Sequence, residues 1–260
     1  YNSAVSTIEI QGQTNQLAVD HNVSLYFDGA SNTAAAIDNP QITANNITFE
    51  FWMKNSTATA TASIVKLKEG ATIIGLESGK IYFQLGDPNT KVEGTIGTDN
   101  LFHHYTFTYN SSTGLISIYK DDSTIGSLTV ATNLQFSTTN SLVIGGNTFI
   151  GNIHDFRIWN KNISVQDAYA KMYTRLNGNE TGLLGFWPMD EGRGTLASDK
   201  ARYKHAVVNA TSWDIKPKGT SYEFKNNQSV ALEDVSAVVL TKEMDATISF
   251  WMKTDTAHEA

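Results

Sequence analysis

The sequence predicts an all-β fold: a two-sheet antiparallel β-sandwich with one short helix, followed by the first strands of a second copy. Three observations carry this prediction. Short runs of alternating hydrophobic and polar residues follow one another, Gly, Asn and Asp turns separate them, and one motif recurs. A length of 260 residues, with 40% hydrophobic and 17% charged residues, suits one large sandwich and a further segment.

Alternation is clearest in YTFTYN at 105–110, where three aromatic residues fall on one face of a strand and Thr106 and Thr108 on the other. IYFQLG at 81–86 and LISIYK at 115–120 alternate in the same way. Such strands bury one face against a second sheet. We therefore expect a core that contains Phe27, Phe49, Phe51, Phe107, Ile118, Ile144, Ile153 and Ile158.

One helix is predicted after residue 164, because apolar residues follow the i, i+3, i+4, i+7 spacing of a helical stripe. Ser164 and Asp167 form a capped start and Gly178 a stop. The stripe is expected to pack on the sandwich and comprises Val165, Ala168, Tyr169, Met172, Tyr173 and Leu176.

The repeat sets the predicted domain boundaries. TFEFWMK at 48–54 recurs as TISFWMK at 247–253, and SLYFDG at 24–29 matches SYEFKN at 221–226. The prediction is an end of a preceding segment or linker at 1–20, a sandwich domain at 21–214, and a linker with the truncated start of a second domain at 215–260. Because strands of a truncated copy lack partners, we expect them to dock on another chain, such as export or surface machinery, or to be completed by sequence beyond Ala260.

Composition excludes several classes of partner. A net charge of -7 and a pI near 5.3 disfavour nucleic acid and anionic lipid surfaces. No apolar run reaches the ~18 residues that span a bilayer, so membrane insertion is not expected. The chain has no Cys, which removes disulfides, thiolate zinc sites and thiol nucleophiles.

Several motifs together resemble the laminin G-like, concanavalin A-like lectin and glucanase superfamily. They are LYFDG at 25–29, LFHHYTFTYN at 101–110, FIGNIHDFRIWNKNIS at 149–164 and GLLGFWPMDEGRGT at 182–195. The resemblance implies a concanavalin A-like jelly roll in a large exported bacterial surface protein or adhesin. SDKARYKHA at 198–206 departs from the family's DxSGNGN pattern, which puts a turn or ion role there in doubt.

The resemblance also implies a structural Ca²⁺ in some family members. Hard oxygen ligands from Asp28, Asn32 and Asp155 would suit this ion. The alternative is that Asp28 and Asp155 cap turns or accept backbone hydrogen bonds.

No catalytic constellation is found. The family's β-glucan hydrolases carry ExDxxE on one strand, and the nearest string here, Glu243 to Asp245, lacks the second Glu. His103 and His104 are neighbours on a strand and point to opposite faces, so they cannot share an ion. The chain is therefore not expected to be an enzyme.

The expected function is a non-catalytic, extracellular binding or adhesion module that recognises a carbohydrate or surface glycoprotein, secreted or displayed at the cell surface beside neighbouring repeats. Alternatives are a spacer repeat of a stalk or an ancillary domain of a carbohydrate-active enzyme. Trp52, Trp159, Trp187 and Trp213 could stack on sugars, but their motif positions favour the core. Loops 55–63 and 86–100, rich in Asn, Thr and Asp, are the better lectin candidates.

Overall fold

The computed structural model describes most of the predicted sandwich domain, within the compact unit Tyr1–Lys218. The described residues are 23–30, 34–38, 40, 42–56, 61–67, 72–85, 88–97, 99–138, 141–146, 148–209 and 212–215. The predicted segment 1–20 and the second copy after residue 215 lie outside them, so the domain boundaries and the docking of the tail stay predictions.

The described chain forms eighteen strands, one α-helix and a short 3₁₀ turn, Pro88–Thr90. The first nine strands are β1 Val23–Asp28, β2 Ala34–Ile37, β3 Ile42–Ala44, β4 Ile47–Asn55, β5 Ala62–Leu67, β6 Thr72–Glu77, β7 Lys80–Gln84, β8 Lys91–Thr95 and β9 His103–Asn110. The others are β10 Leu115–Lys120, β11 Ser123–Thr129, β12 Phe136–Thr138, β13 Leu142–Gly145, β14 Ile150–Trp159, β15 Leu183–Trp187, β16 Leu196–Ala197, β17 Ala206–Asn209 and β18 Ser212–Ile215; the helix is α1 Val165–Lys171.

Two antiparallel sheets form the sandwich, as predicted. The first has the order β11-β10-β9-β4-β14-β1-β18, with β15 also paired to β14, and the second has the order β16-β17-β2-β13-β5-β6-β7-β8. The crossovers between sequence-distant neighbours, such as β4 beside β14, are those of a jelly roll. Strands β3 and β12 form a small separate ribbon.

The core between the sheets contains all eight residues that the alternation predicted, each with 0% exposure. The ring of Phe51 stacks on those of Phe107 and Phe156, with centroids 5.5 Å apart in both pairs. Offset aromatic pairs of this kind add to the free energy of burying the rings. The core prediction is confirmed, although in β14 a register shift between His154 and Arg157, and not unbroken alternation, brings both Ile153 and Ile158 to the core.

Helix α1 begins where predicted but is shorter than predicted. The Ser164 hydroxyl accepts from the Asp167 amide at 3.1 Å, which confirms the cap. The helix ends at Lys171, and Gly178 (φ +93°) lies in a later turn. Tyr169 is 51% exposed and the ring of Tyr173 is 56% exposed, so neither belongs to the buried stripe.

The outward face of the first sheet is covered by other parts of the chain, which alternation along the strands does not predict. Thr106 and Thr108, predicted to face away from the core, are only 1% exposed. The Thr108 hydroxyl donates to the Asn162 side chain at 2.8 Å, and Thr48 donates to the carbonyl of Lys161 at 2.7 Å. Residues 161–174, which include α1, therefore cover this face of the first sheet and are held to it by hydrogen bonds.

No helix in the described part of the chain is long and apolar enough to cross a membrane.

Candidate functional site

The centre of the covered face is a buried cluster of charged side chains, which we call the Arg157 cluster. It consists of Glu50 on β4 with Asp155, Arg157 and Trp159 on β14. Each of these residues is at most 4% exposed. Charged side chains are almost never buried to this extent unless they are paired, so the cluster must satisfy itself internally.

A bulge in β14 builds the cluster. His154 pairs with Trp52 and Arg157 with Glu50, so β14 uses three steps where β4 uses two. Asp155 takes φ +53°, and its amide donates to the carbonyl of Pro188 at 3.0 Å. This extra residue shifts the inward and outward alternation of the side chains by one position. His154 and Arg157, three positions apart, therefore lie on the same outward face.

The guanidinium of Arg157 joins the two carboxylates. Its Nε and Nη2 donate to both Asp155 oxygens, with the second bond at 2.9 Å, and Nη1 donates to Glu50 at 3.3 Å. Nη2 also donates to the carbonyl of Thr174 at 2.8 Å, just after α1. The indole of Trp159 donates to the same Glu50 oxygen at 2.8 Å.

Arg157 remains charged in this setting. Burial acts to lower the pKa of Arg157, but the charges of Asp155 and then Glu50, with their hydrogen bonds, outweigh burial and raise the pKa. The cluster therefore contains a permanent cation that binds two acids and anchors the segment after α1 to the sheet.

A cavity of about 570 Å³ opens beside this cluster, between β4, β14 and α1. Glu50, Arg157 and Trp159 form its floor, and the ammonium of Lys161 lies 4.2 Å from the ring centroid of Trp159. The remaining wall residues are Asn162, Ile163, Asp167, Ala170, Lys171, Thr174, Leu176, Glu180 and Thr181. The volume and the convergent polar groups fit a small polar ligand that is recognised by hydrogen bonds.

The structure places Asp28 and Asp155, two of the three predicted calcium ligands, apart from each other. Asp28 pairs with Ile150 of β14, five positions before Asp155, which corresponds to about 17 Å along a strand. Asp28 accepts from the amide of Ala30 at 2.9 Å in a turn, while Asp155 accepts from Arg157. Asn32 lies outside the described residues, so calcium binding stays a prediction. Among the described residues, no three His, Asp or Glu side chains lie close enough together to hold a metal ion.

The tryptophans are mostly buried, as expected, but Trp52 and Trp159 lie in two small clusters under the covering segment and only Trp187 belongs to the main core. Trp52, Trp159 and Trp187 are at most 4% exposed, and Trp213 packs partly buried against the core. The proposed loop 86–100 instead contains β8, an edge strand of the second sheet, and residues 57–60 of loop 55–63 lie outside the described residues.

The two histidines have separate surroundings. His104 is buried with its ring centroid 5.3 Å from that of Trp52. His103 bonds Asp121 at 2.6 Å and Asp99 at 2.8 Å. They therefore do not converge on one ligand, as the strand geometry required.

Sequence reasoning missed the Arg157 cluster and the role of Asp199. Glu50 stands between Phe49 and Phe51 in a strand, which resembles an ordinary solvent-facing position. Asp199 is 1% exposed and accepts four backbone amides, so the connector is a defined turn in spite of its departure from the family pattern. The Asp itself was the available signal, since Asp side chains organise turns.

Comparison with known proteins agrees with this fold. The family model described as "Concanavalin A-like lectin/glucanases superfamily" matches residues 27–168. A comparison with curated protein sequences gives no match.

Solved structures share the architecture at low sequence identity. A Bacteroides ovatus ATCC 8483 protein, named for a suspected carbohydrate-binding role, superposes with a TM-score of 0.61 at 16% identity over 77% of this chain and 61% of its own. The heptameric SAP-like pentraxin of Limulus polyphemus gives 0.54 at 12% identity, over 75% and 95% of the two chains. The extracellular region of zebrafish Gpr126/Adgrg6 gives 0.52 at 15% identity, over 79% of this chain and 28% of its own. These likenesses establish the fold alone.

Proposed function

The chain belongs to the concanavalin A-like lectin/glucanase superfamily, and from that premise we propose that it is a non-catalytic glycan-binding module of an extracellular protein. The observation that carries the proposal is the cavity beside the Arg157 cluster. Its floor carries the Glu50 carboxylate, and its wall carries the ammonium groups of Lys161 and Lys171 and the side-chain amide of Asn162. Such an arrangement suits ligands rich in hydroxyl groups.

We propose that the chain is not catalytic because the carboxylates beside the cavity are already held by other groups of the protein. A glycoside hydrolase needs two carboxyl groups that flank the scissile bond, one to donate a proton and one to attack or activate water. The carboxylates that line the cavity are those of Glu50, Asp167 and Glu180. Each accepts hydrogen bonds from the protein: Glu50 from Arg157 and Trp159, Asp167 from the Ser164 hydroxyl, and Glu180 from the amides of Asn177 and Gly178. No pair of them is therefore placed to change partners during a reaction. Incubation with β-glucans should release no reducing sugar.

A glycan array probed with the whole protein tests binding. We expect hits that weaken about tenfold in Lys161→Ala, because the Lys161 ammonium lies over Trp159 at the rim, where it would donate a hydrogen bond to a bound glycan. Lys66→Ala on the second sheet is the matched control, since it removes the same charge away from the cavity. Hits that Lys161→Ala leaves unchanged would move the site elsewhere.

The spacer alternative makes the opposite prediction for the same array. A pure spacer would show no hits while retaining a cooperative melting transition. Secretion, adhesion and export machinery remain part of the proposal and rest on the family resemblance, while tandem neighbours rest on the repeat of FWMK at 51–54 and 250–253.

A further inference from the structure

The turn at 199–205, which we call the Asp199 loop, concentrates positive charge in an acidic protein. Its sequence DKARYKH contains Lys200, Arg202 and Lys204, whereas the whole chain has a net charge of -7. Tyr203 in the same loop is 80% exposed. Exposed aromatic rings flanked by cations are typical of recognition surfaces.

The loop is fixed without any ligand. The buried Asp199 carboxylate accepts from the amides of Phe186 (3.0 Å), Ala201 (2.9 Å), Arg202 (3.1 Å) and Lys204 (3.0 Å). A loop that is already ordered loses little conformational entropy when it binds, which favours affinity.

Two further bonds close the loop. The amide of Asp199 donates to the ring nitrogen of His205 at 3.1 Å. The indole of Trp187 donates to the carbonyl of Lys204 at 3.0 Å, which ties the loop to the core. Tyr203 is held at φ +59°, a backbone conformation that few non-glycine residues adopt, and the surrounding bonds maintain it.

The cations of the loop are not neutralised by the protein. Within the described ranges no carboxylate lies within 4 Å of Lys200, Arg202 or Lys204, although Lys80, Lys91 and Arg175 elsewhere each have at least one. The only acid in the loop is Asp199, and backbone amides occupy both of its oxygens. The positive charge is therefore available to an external anion.

We infer that the Asp199 loop is a binding site for acidic glycans, with Tyr203 against a sugar ring and the cations on sulfate or carboxylate groups. A guanidinium pairs with such groups through two parallel bonds. The exposed ring favours a glycan over an acidic peptide, because charge alone needs no flat apolar surface. The inference rests on the proposed function and specifies the ligand's charge.

The loop also adjoins the wall of the cavity. A Cβ on Gly178 would come within 2.1 Å of the Lys200 carbonyl, so the two turns are in contact. Residues 176, 180 and 181 around that glycine line the cavity. One acidic oligosaccharide could therefore reach both features.

The test measures binding of the whole protein to immobilised dextran sulfate, uncharged dextran and poly-glutamate at about 50 mM and about 500 mM NaCl. We expect dextran sulfate to bind, and the affinity to fall about tenfold in Tyr203→Ala and about tenfold in Arg202→Gln with Lys204→Gln. High salt should weaken the wild type more than the charge variant.

Two matched variants control for exposure and charge. Tyr169→Ala removes a tyrosine of α1 that is 51% exposed, and Lys66→Gln with Lys120→Gln removes two cations elsewhere. Both should bind like the wild type. Equal melting temperatures would show that the loop variants remain folded.

The outcomes separate this inference from the proposed function. Equal loss in the loop variants and their controls, or no dextran sulfate binding, overturns the loop site, and array hits lost in Lys161→Ala would leave the cavity function standing. Poly-glutamate binding as tight as dextran sulfate, and unaffected by Tyr203→Ala, overturns the assignment to glycans. Loop-dependent dextran sulfate binding with no effect of Lys161→Ala supports the loop and refutes the cavity.

Discussion

Both sheets of the sandwich carry a charged network on their outward face, but only one network is covered. In the Arg157 cluster, the side chains of Glu50, Asp155 and Arg157 are 1–4% exposed under α1 and the following chain. On the second sheet, Lys91 bonds Glu77 and Glu93, and these side chains are 25–48% exposed. Cation–carboxylate pairs thus occur in this protein both buried in its interior and exposed to water.

Burial under a further layer of chain determines how much an ion pair contributes to the free energy of unfolding. A buried pair has already lost its hydration, so removing one partner leaves an uncompensated charge. An exposed pair exchanges its partner for water at little cost. The two networks should therefore differ strongly when they are broken.

The largest expected effect follows from Arg157→Met, which leaves Glu50 and Asp155 buried without their cation. We expect the free energy of unfolding to fall by about 3–5 kcal/mol, measured by urea denaturation. Arg157→Lys should recover only part of this loss, because an ammonium cannot serve both carboxylates and the Thr174 carbonyl in the same fork geometry. A loss below about 1 kcal/mol for Arg157→Met would mean that the cluster is solvated.

A smaller effect is expected for Trp52→Phe, which tests how the covering segment around α1 is attached to the first sheet. The Trp52 indole, 3% exposed, donates to the Met172 carbonyl at 3.2 Å at the end of α1. Losing this buried bond should reduce the free energy of unfolding by about 1 kcal/mol and speed hydrogen exchange of the Ala168 amide.

Trp213→Phe is the matched change outside the cover. The indole of Trp213 donates to the Gly194 carbonyl at 2.8 Å in an exposed setting, where water can replace it. Trp213→Phe should therefore reduce the free energy of unfolding by less than Trp52→Phe does. Equal losses would remove the distinction between covered and open bonds.

The smallest effect concerns the exposed network and pH. Hydrogen bonds from Lys80 and then Lys91 lower the pKa of Glu93 below 4.5. A lowered pKa means that this stabilisation is present above pH 4.5 and disappears as the pH falls through the folded-state value. The melting temperature should therefore drop slightly more on acidification to about pH 3 in the wild type than in Glu93→Gln. The difference should shrink at high salt, and a salt-independent difference would contradict an exposed pair.

The fold was predictable because its signals are local. The strict alternation around Phe107 and Ile118 specified inward faces, and the Ser164 to Asp167 spacing specified a helix start. Each of these signals acts within a few residues, so a single chain displays it.

The end of α1 was not predictable in the same way. Tyr169 and Tyr173 continue the helical spacing, yet both are more than half exposed. The helix stops at Lys171 and the chain then presents the Thr174 carbonyl to Arg157, 17 positions earlier. The helix thus ends before its periodic pattern ends, and the residues that follow it bond to the sheet.

By itself, the sequence determined the antiparallel sandwich, its core and the superfamily motifs. Tertiary structure alone decided which outward face is covered and where the polar residues meet. Ile153 and Ile158 are five positions apart, so unbroken alternation would place them on opposite faces, yet both have 0% exposure because Asp155 adds one residue between them. A bulge and a covering layer depend on the partner strand and on chain that lies far away in sequence, and neither leaves a periodic signal of its own.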